Sequence, residues 1–244
     1  GAGGGTRHKT LEIVSRIKHD IGIEAAAHLT CVGHTRDEIR EIVAQIAKAG
    51  IENVVALRGD PPKGESVFRA ASDGHSYASE LIRDIRAAGH DLCILGAAYP
   101  EGHVESHDRR KDLLHLREKV DAGTDVLVTQ LFFDNAFYFD FVMRAREVGI
   151  TKPIVPGIMP ITNVEQIERF TRMCGATVPM RLAQALDRVR DEPDAVLQLG
   201  VSHATLQCVD LLERGAPGIH FYTLNKSPAT RMIVTALKAH FGWA

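Results

Sequence analysis

Net charge is nearly absent from this sequence, with 29 Lys and Arg set against 31 Asp and Glu in 244 residues. Without a basic excess or a polybasic tail, the chain is poorly suited to neutralising nucleic-acid phosphates or docking on an anionic membrane. The expected partner is a small molecule, with no nucleic acid and no membrane. Runs approaching the ~18 apolar residues of a membrane span are lacking, and no charged-then-apolar signal pattern opens the chain. The corresponding expectation is a cytoplasmic location. The chain opens Gly-Ala-Gly-Gly-Gly without a Met, which suits a processed or truncated protein.

Cysteine is also sparse. Cys31, Cys93, Cys174 and Cys208 form no Cys-x-x-Cys pair, so neither a zinc ribbon nor a disulfide framework is indicated, and all four are expected to be reduced and mostly buried. His103 and His107 have a helix-like i, i+4 spacing, but no Glu lies between them in the zincin order. Pro100 and Gly102 place loop just before them, so solvated histidines are expected rather than metal ligands. A phosphate loop of the Gly-x-x-x-x-Gly-Lys-[Ser/Thr] type, a complete Gly-x-Gly-x-x-Gly and a Gly-x-Ser-x-Gly elbow are all missing. Any dinucleotide must therefore bind without a Rossmann fingerprint. Arg58-Gly59-Asp60 spells an adhesion motif, yet it ends an apolar strand; an Arg–Asp pair bracing that strand end is the structural alternative.

What is present is an ordinary core-forming composition, 45% hydrophobic and 25% charged, long enough for one domain spanning residues 1–244. One pattern recurs along it: an amphipathic helical stretch, a glycine, then an apolar β-rich run. The glycines are Gly22, Gly50, Gly89, Gly123, Gly149 and Gly215. The runs that follow are 25–31, 54–59, 92–99, 126–133, 154–158 and 219–224. In the second unit Thr35 and Glu38 form a capping box, and Ile39, Ile42, Val43, Ile46 and Ala47 make one stripe on a helix reaching about Ala49. Further helices are expected over 178–189, 195–214 and 228–241. Phe132, Phe133 and Phe137 are assigned to packing.

Apolar strands alternating with helices imply a parallel sheet covered on both faces, either doubly wound or closed into a barrel. In both, ligands sit at the strand C-termini. Those ends are polar here: His28 and Thr30, Arg58 to Asp60, Tyr99 to His103, Gln130 and Asp134, Pro156 to Pro160, and Tyr222 to Lys226. Such groups suit a large polar ligand.

Taken in order, these strand ends resemble the methylenetetrahydrofolate reductase family. The blocks that carry the resemblance include Val55-Ala56-Leu57-Arg58-Gly59-Asp60, Ala97-Ala98-Tyr99-Pro100-Glu101-Gly102-His103 and Thr129-Gln130-Leu131-Phe132-Phe133-Asp134. Ile154-Val155-Pro156-Gly157-Ile158-Met159-Pro160 and His220-Phe221-Tyr222-Thr223-Leu224-Asn225 complete the set. The resemblance implies a (β/α)₈ TIM barrel with FAD at its C-terminal face. It implies hydride transfer from NADH or NADPH to FAD, and from there to 5,10-methylenetetrahydrofolate, giving 5-methyltetrahydrofolate.

By matching position, Ala2, His28, Arg58, Gly59, Asp60, Tyr77, Ala78, Tyr99, His103, Asp112, His115 and Lys119 would line FAD. Asp60 would also be catalytic, because a carboxylate there disfavours anionic reduced flavin and favours the cationic iminium form of the folate. Gln130, the second catalytic position, would hydrogen-bond the pterin and the nicotinamide carboxamide in turn, as an amide can both donate and accept. Gln166, Phe170 and Lys226 would contact substrate. Lys226 stands where the family usually has Arg, so a bidentate grip becomes a point charge.

The family's first strand carries the Glu that acts as general acid, and that motif would precede everything here. The first βα unit and the second strand are therefore expected to be absent, leaving a barrel incomplete at its N-terminus and, by itself, not a competent reductase. Relatives associate, so the resemblance leaves a homo-oligomer open. The competing reading is a folate- or flavin-binding barrel without reductase activity, such as a pterin methyltransferase-like fold.

Overall fold

In the computed structural model, which describes residues 7–61, 64, 68–106 and 108–243, the capping box read at Thr35 is closed. The Glu38 N–H donates to Thr35 Oγ1 at 3.3 Å and the Thr35 N–H donates to Glu38 Oε2 at 2.8 Å. Two of the amides that a helix start leaves without partners are thus satisfied reciprocally. The helix runs Arg36–Lys48 and buries Ile39, Val43 and Ile46. Ile42, read as part of the same stripe, is only partly covered.

The chain divides into two compact units, the first within residues 1–97 and 115–127, the second within 98–114 and 128–244. In the first, helix α1 (Arg7–Arg16) and a π turn (Ile17–Ile21) lead to strand β1 (Ala26–Thr30). Then come α2 (Arg36–Lys48), β2 (Asn53–Leu57), α3 (Ala78–Ala87) and β3 (Cys93–Ala98). The later half of α4 (Arg109–Asp121) and the start of β4 (Val126–Thr129) complete it. Strand order in this unit is β1-β2-β3-β4. β1 lies parallel to β2 from Ala26 opposite Asn53 to Thr30 opposite Leu57, and β2 parallel to β3 from Asn53 opposite Cys93.

The strand runs are mostly apolar, and burial alternates along them. Ala27, Leu29, Val54, Ala56 and Ile94 pack with Val14 of α1, the α2 stripe and Leu81, Ile82 and Ile85 of α3 into one core. His28 on the alternate face is exposed, while Asn53, Val55 and Leu95 there are only partly covered. The first helix also differs from the sequence reading, which took one helix to Gly22. A π turn intervenes, and left-handed Gly22 (φ 76°) lets its own N–H and that of Ile23 both bond Ile17 O.

Arg86 ties α3 to the strand starts. Its guanidinium donates to Gly123 O at 2.7 and 3.0 Å and to Leu92 O at 2.6 Å, and pairs with Asp125. Asp125 in turn accepts from the Ile94 N–H at 2.9 Å.

The second unit holds the rest of β4, then α5 (Asn135–Glu147), β5 (Ile154–Val155), β6 (Gly157–Ile158) and α6 (Val164–Cys174). It continues with α7 (Met180–Arg188), α8 (Pro193–Glu213), β7 (His220–Phe221) and α9 (Pro228–Phe241). β4 neighbours β5, and β6 pairs parallel with β7, Gly157 opposite His220 and Ile158 opposite Phe221. The run read as one strand over 154–158 is split at Pro156, which has no N–H to place in a ladder. Likewise the run 126–133 is strand only to Thr129; Leu131, Phe132 and Phe133 follow as buried core, as assigned for the two Phe. The helices read at 178–189, 195–214 and 228–241 are α7, α8 and α9, the last with the same bounds.

α8 is long and apolar enough, by length and composition only, to cross a membrane, and one such helix is weak evidence. It is tied into its own unit by polar contacts. Gln207 Nε2 donates to Phe132 O at 3.3 Å, Asn135 Nδ2 donates to Gln207 O at 3.1 Å, and a ring nitrogen of His203 lies 3.1 Å from Phe133 O. Cys31 and Cys208 are buried and Cys93 and Cys174 partly so, and none of the four is in a disulfide. Burial pushes the Cys31 and Cys208 thiols up to about 12, so both stay protonated and unreactive at neutral pH. Parallel strands alternating with helices make this an α/β chain.

Gly200, inside α8, marks the closest approach in this core: a Cβ there would sit 1.9 Å from Ile161 O. Gly200→Ala is expected to lower stability by ~3 kcal/mol through overpacking. Gly218→Ala, where a Cβ meets nothing within 4 Å, should stay within ~0.5 kcal/mol of the parent. Urea denaturation of the two variants measures both.

Candidate active site

The positions assigned to ligands fall into two sets, one in each unit. In the first unit, His28 sits mid-strand in β1 with an exposed side chain, opposite Val55. Arg58, Gly59 and Asp60 follow β2. Gly59 has φ 88°, a left-handed geometry that bends the chain as it leaves the strand. Arg58 lies over the Phe68 ring at 5.2 Å, a cation–π contact that holds the guanidinium against the loop, and Asp60 is exposed. Tyr77, 62% exposed, is the residue before α3 and makes no side-chain cap bond, while Glu80 in the first turn accepts from the Ser76 N–H at 2.8 Å. Lys119 Nζ donates to Ala97 O at 2.8 Å. His115 is exposed on α4 with Nδ1 3.3 Å from Glu118. Ala2 lies outside the described residues, as does His107.

In the second unit, three assigned residues are brought into direct contact. The Tyr99 and His103 rings meet edge to face with centroids 4.6 Å apart. The His103 N–H donates to Asp112 Oδ2 at 3.1 Å, which ties the turn after β3 to the start of α4. His103 Nδ1 accepts from the Glu105 N–H at 3.1 Å, so a neutral ring here carries its proton on Nε2. Gln130 follows β4 directly; its N–H donates to Ala98 O at 2.7 Å and its Oε1 accepts from the Leu131 N–H at 2.9 Å. That bond orients the amide, leaving Nε2 and the second lone pair of Oε1 for a ligand.

Gln166 sits in the first turn of α6, its backbone N–H held by the capping Asn163 Oδ1 at 2.7 Å. Phe170, one turn further on, packs on the core that includes Leu131, Phe133 and Ile167, with the Arg169 guanidinium 5.3 Å from its ring. Lys226 is exposed in the turn before α9. Two non-glycine residues there, Leu224 and Asn225, adopt left-handed backbone with φ 51° and 60°, a strained conformation of the kind that collects at ligand-binding turns. An open cavity of about 650 Å³ lies beside them, lined by Thr223, Asn225, Lys226, Ser227, Arg231 and Lys238 among others.

Two features escaped the sequence reading. Phe68, which stacks under Arg58, lies in a segment with no strand or helix pattern to flag it. Tyr222 is among the polar strand ends read from the sequence, but its partner is not legible there. Its hydroxyl donates to Thr129 O at 2.8 Å, immediately before Gln130. No groups of His, Cys, Asp and Glu that could hold a metal occur among the described residues.

A TIM-barrel-like α/β chain whose strand ends carry these polar groups belongs to a ligand-binding, enzyme-bearing class of folds. The comparisons identify the family. The methylenetetrahydrofolate reductase family matches residues 1–238, and the chain belongs to it. It is 40% identical over 235 residues to "Methylenetetrahydrofolate reductase (NADH) 1" of Zea mays, covering 92% of this chain and 40% of that protein. It is 38% identical over 238 residues to the 5,10-methylenetetrahydrofolate reductase of Escherichia coli (strain K12), covering 97% of this chain and 78% of that one. The chain therefore spans about two fifths of the length of the plant relative. Among solved structures, the fold is shared with an uncharacterised Clostridium thermocellum protein that binds two copies of 5-methyl-5,6,7,8-tetrahydrofolic acid. There the TM-score is 0.58 at 18% identity, over 93% of this chain and 77% of that one.

The His103–Asp112 bond yields a test of the turn that presents Tyr99. Asp112→Ala removes the acceptor and is expected to cost ~1–2 kcal/mol, whereas Asp112→Asn, which keeps an amide oxygen, should cost less. Guanidinium denaturation compares them.

Proposed function

We propose that this chain carries the flavin- and substrate-binding residues of a flavin-dependent oxidoreductase that reduces 5,10-methylenetetrahydrofolate to 5-methyltetrahydrofolate with a reduced nicotinamide as donor, in the cytoplasm. The observation that carries the reading is membership of the methylenetetrahydrofolate reductase family over residues 1–238, with the strand-end positions assigned by resemblance present in the fold. The name of the Zea mays relative specifies NADH, which makes NADH the first donor to test against NADPH.

The residues present fit FAD. Arg58 and Lys119 supply positive charge in the first unit, and the start of the ten-residue α3 at Ala78 has no side-chain cap, a donor set suited to a diphosphate. His28, Gly59, Asp60, Tyr77 and His115 are the other first-unit positions assigned to it, and Tyr99, His103 and Asp112 the second-unit ones. When bound, FAD supplies a hydride carrier between two substrates that do not react directly. Gln130, Gln166, Phe170 and Lys226 would hold those substrates: Gln130 by its amide, Phe170 by its ring, Lys226 by charge. Asp60 acts through its field, favouring positive charge on a bound folate.

Flavin absorbance in the purified protein, together with formation of 5-methyltetrahydrofolate from NADH, supports the reading. A colourless protein with folate affinity would sink it in favour of a folate-binding barrel without flavin. Asp60→Asn is expected to slow the folate-dependent half-reaction by ~10-fold or more and to leave the nicotinamide half-reaction within ~3-fold, as expected for loss of one charge at the site. Stopped-flow spectroscopy separates the two; equal losses in both would remove Asp60 from the assigned role.

A further inference from the structure

The peptide between Thr129 and Gln130 is held at both ends. Its carbonyl, Thr129 O, accepts from the Tyr222 hydroxyl at 2.8 Å, and its N–H, that of Gln130, donates to Ala98 O at 2.7 Å. Since the peptide is planar, fixing both groups fixes its plane and with it the position of the Gln130 Cα that carries the side chain, leaving rotation about the N–Cα bond to be limited by the side-chain contact. The side-chain oxygen is then engaged by the next amide, that of Leu131 at 2.9 Å. Every rotation that would turn the Nε2 donor elsewhere breaks one of these three bonds.

Tyr222 reaches Thr129 only because residue 157 has no side chain. A Cβ on Gly157 would lie 2.2 Å from Thr129 O, 2.6 Å from Tyr222 Cε2 and 3.2 Å from the Tyr222 hydroxyl. Gly157 also contributes its N–H, which donates to Thr129 Oγ1 at 2.8 Å. Tyr222 itself is anchored by its N–H on Ile158 O at 2.9 Å and by the His220 ring, edge to face at 4.9 Å. Thus β6 and β7 form a small frame that aims one hydroxyl at one carbonyl. Burial raises the phenol well above its ordinary range, with Tyr99 and Cys174 adding to the effect, so it remains a protonated donor at neutral and mildly alkaline pH.

From this geometry we infer that Tyr222 is a positioning residue for Gln130, holding the amide that meets the substrates in its working orientation. The inference rests on the reading of Gln130 as a substrate contact. It adds that the hydroxyl of the residue that follows β7 sets the substrate affinity of Gln130.

Tyr222→Phe in the full chain with its cofactor bound keeps the ring and removes only the donor. Amide exchange at Gln130 and Leu131, read by NMR or mass spectrometry, should quicken ~5- to 10-fold, the scale of one lost hydrogen bond, with the thermal midpoint nearly unchanged. The KM for the folate should rise by a similar factor, and Tyr222→4-aminophenylalanine, which restores a donor, should reverse both changes. In a Gln130→Ala background, Tyr222→Phe should change KM by less than ~2-fold, because the group being positioned is gone. Unaltered exchange at Gln130 in a folded Tyr222→Phe protein, or an equal KM penalty in the Gln130→Ala background, overturns the inference. If Gln130→Ala alone leaves turnover and KM as they were, the substrate role of Gln130 falls, and the exchange measurement still decides whether Tyr222 holds the peptide.

Discussion

A strand cannot be reached from its parallel neighbour by a tight hairpin; the chain must leave one end of the sheet and return to the other. That constraint organises both units. It explains why a helix precedes β1, β2, β4, β5 and β7 alike, and why reversal between helix and strand is assigned to left-handed glycines such as Gly50 and Gly89. It also lets the chain leave the sheet at each strand C-terminus, where polar residues can stand without disrupting the core. Arg58, Tyr99 and Gln130 owe their positions to this, whereas His28 stands within β1 with its side chain exposed.

The core supports those loops through a few directed contacts rather than through bulk alone. Arg86 holds the entry to β3 and the approach to β4 through two backbone carbonyls and Asp125. In the second unit, Gln207 and His203 on α8 hold the backbone of Phe132 and Phe133 just after Gln130. Buried backbone groups beyond the strand end would otherwise lack partners, a cost of ~1–3 kcal/mol each. These ties hold the backbone at the strand ends, where the assigned positions lie.

The assigned positions differ in how firmly the fold holds them. Gln130 is fixed by three hydrogen bonds and Gln166 by a helix cap, while Tyr99 and His103 brace each other. Lys226, Asp60 and Tyr77 are exposed, with their orientation left to the ligand. The strained Leu224–Asn225 turn beside Lys226 shows the remaining pattern, backbone distortion held in place at the mouth of a cavity.

Local sequence decided the elements. The Thr35–Glu38 box and the stripe on α2 follow from capping chemistry and spacing, which act over one or two turns, and the bounds of α9 are those read from the sequence. Strand-end blocks such as Arg58 to Asp60 and Tyr99 to His103 were legible because a parallel sheet exposes those positions. Where strands stop was not: Pro156 splits one run, and Leu131 to Phe133 are apolar for packing rather than pairing, a distinction that apolar runs do not encode. Nor could spacing show that Tyr222 reaches Thr129, 93 residues away, through the space left by Gly157. Contacts of that kind depend on which side chains the tertiary fold brings within 3 Å, and only the folded chain brings them there.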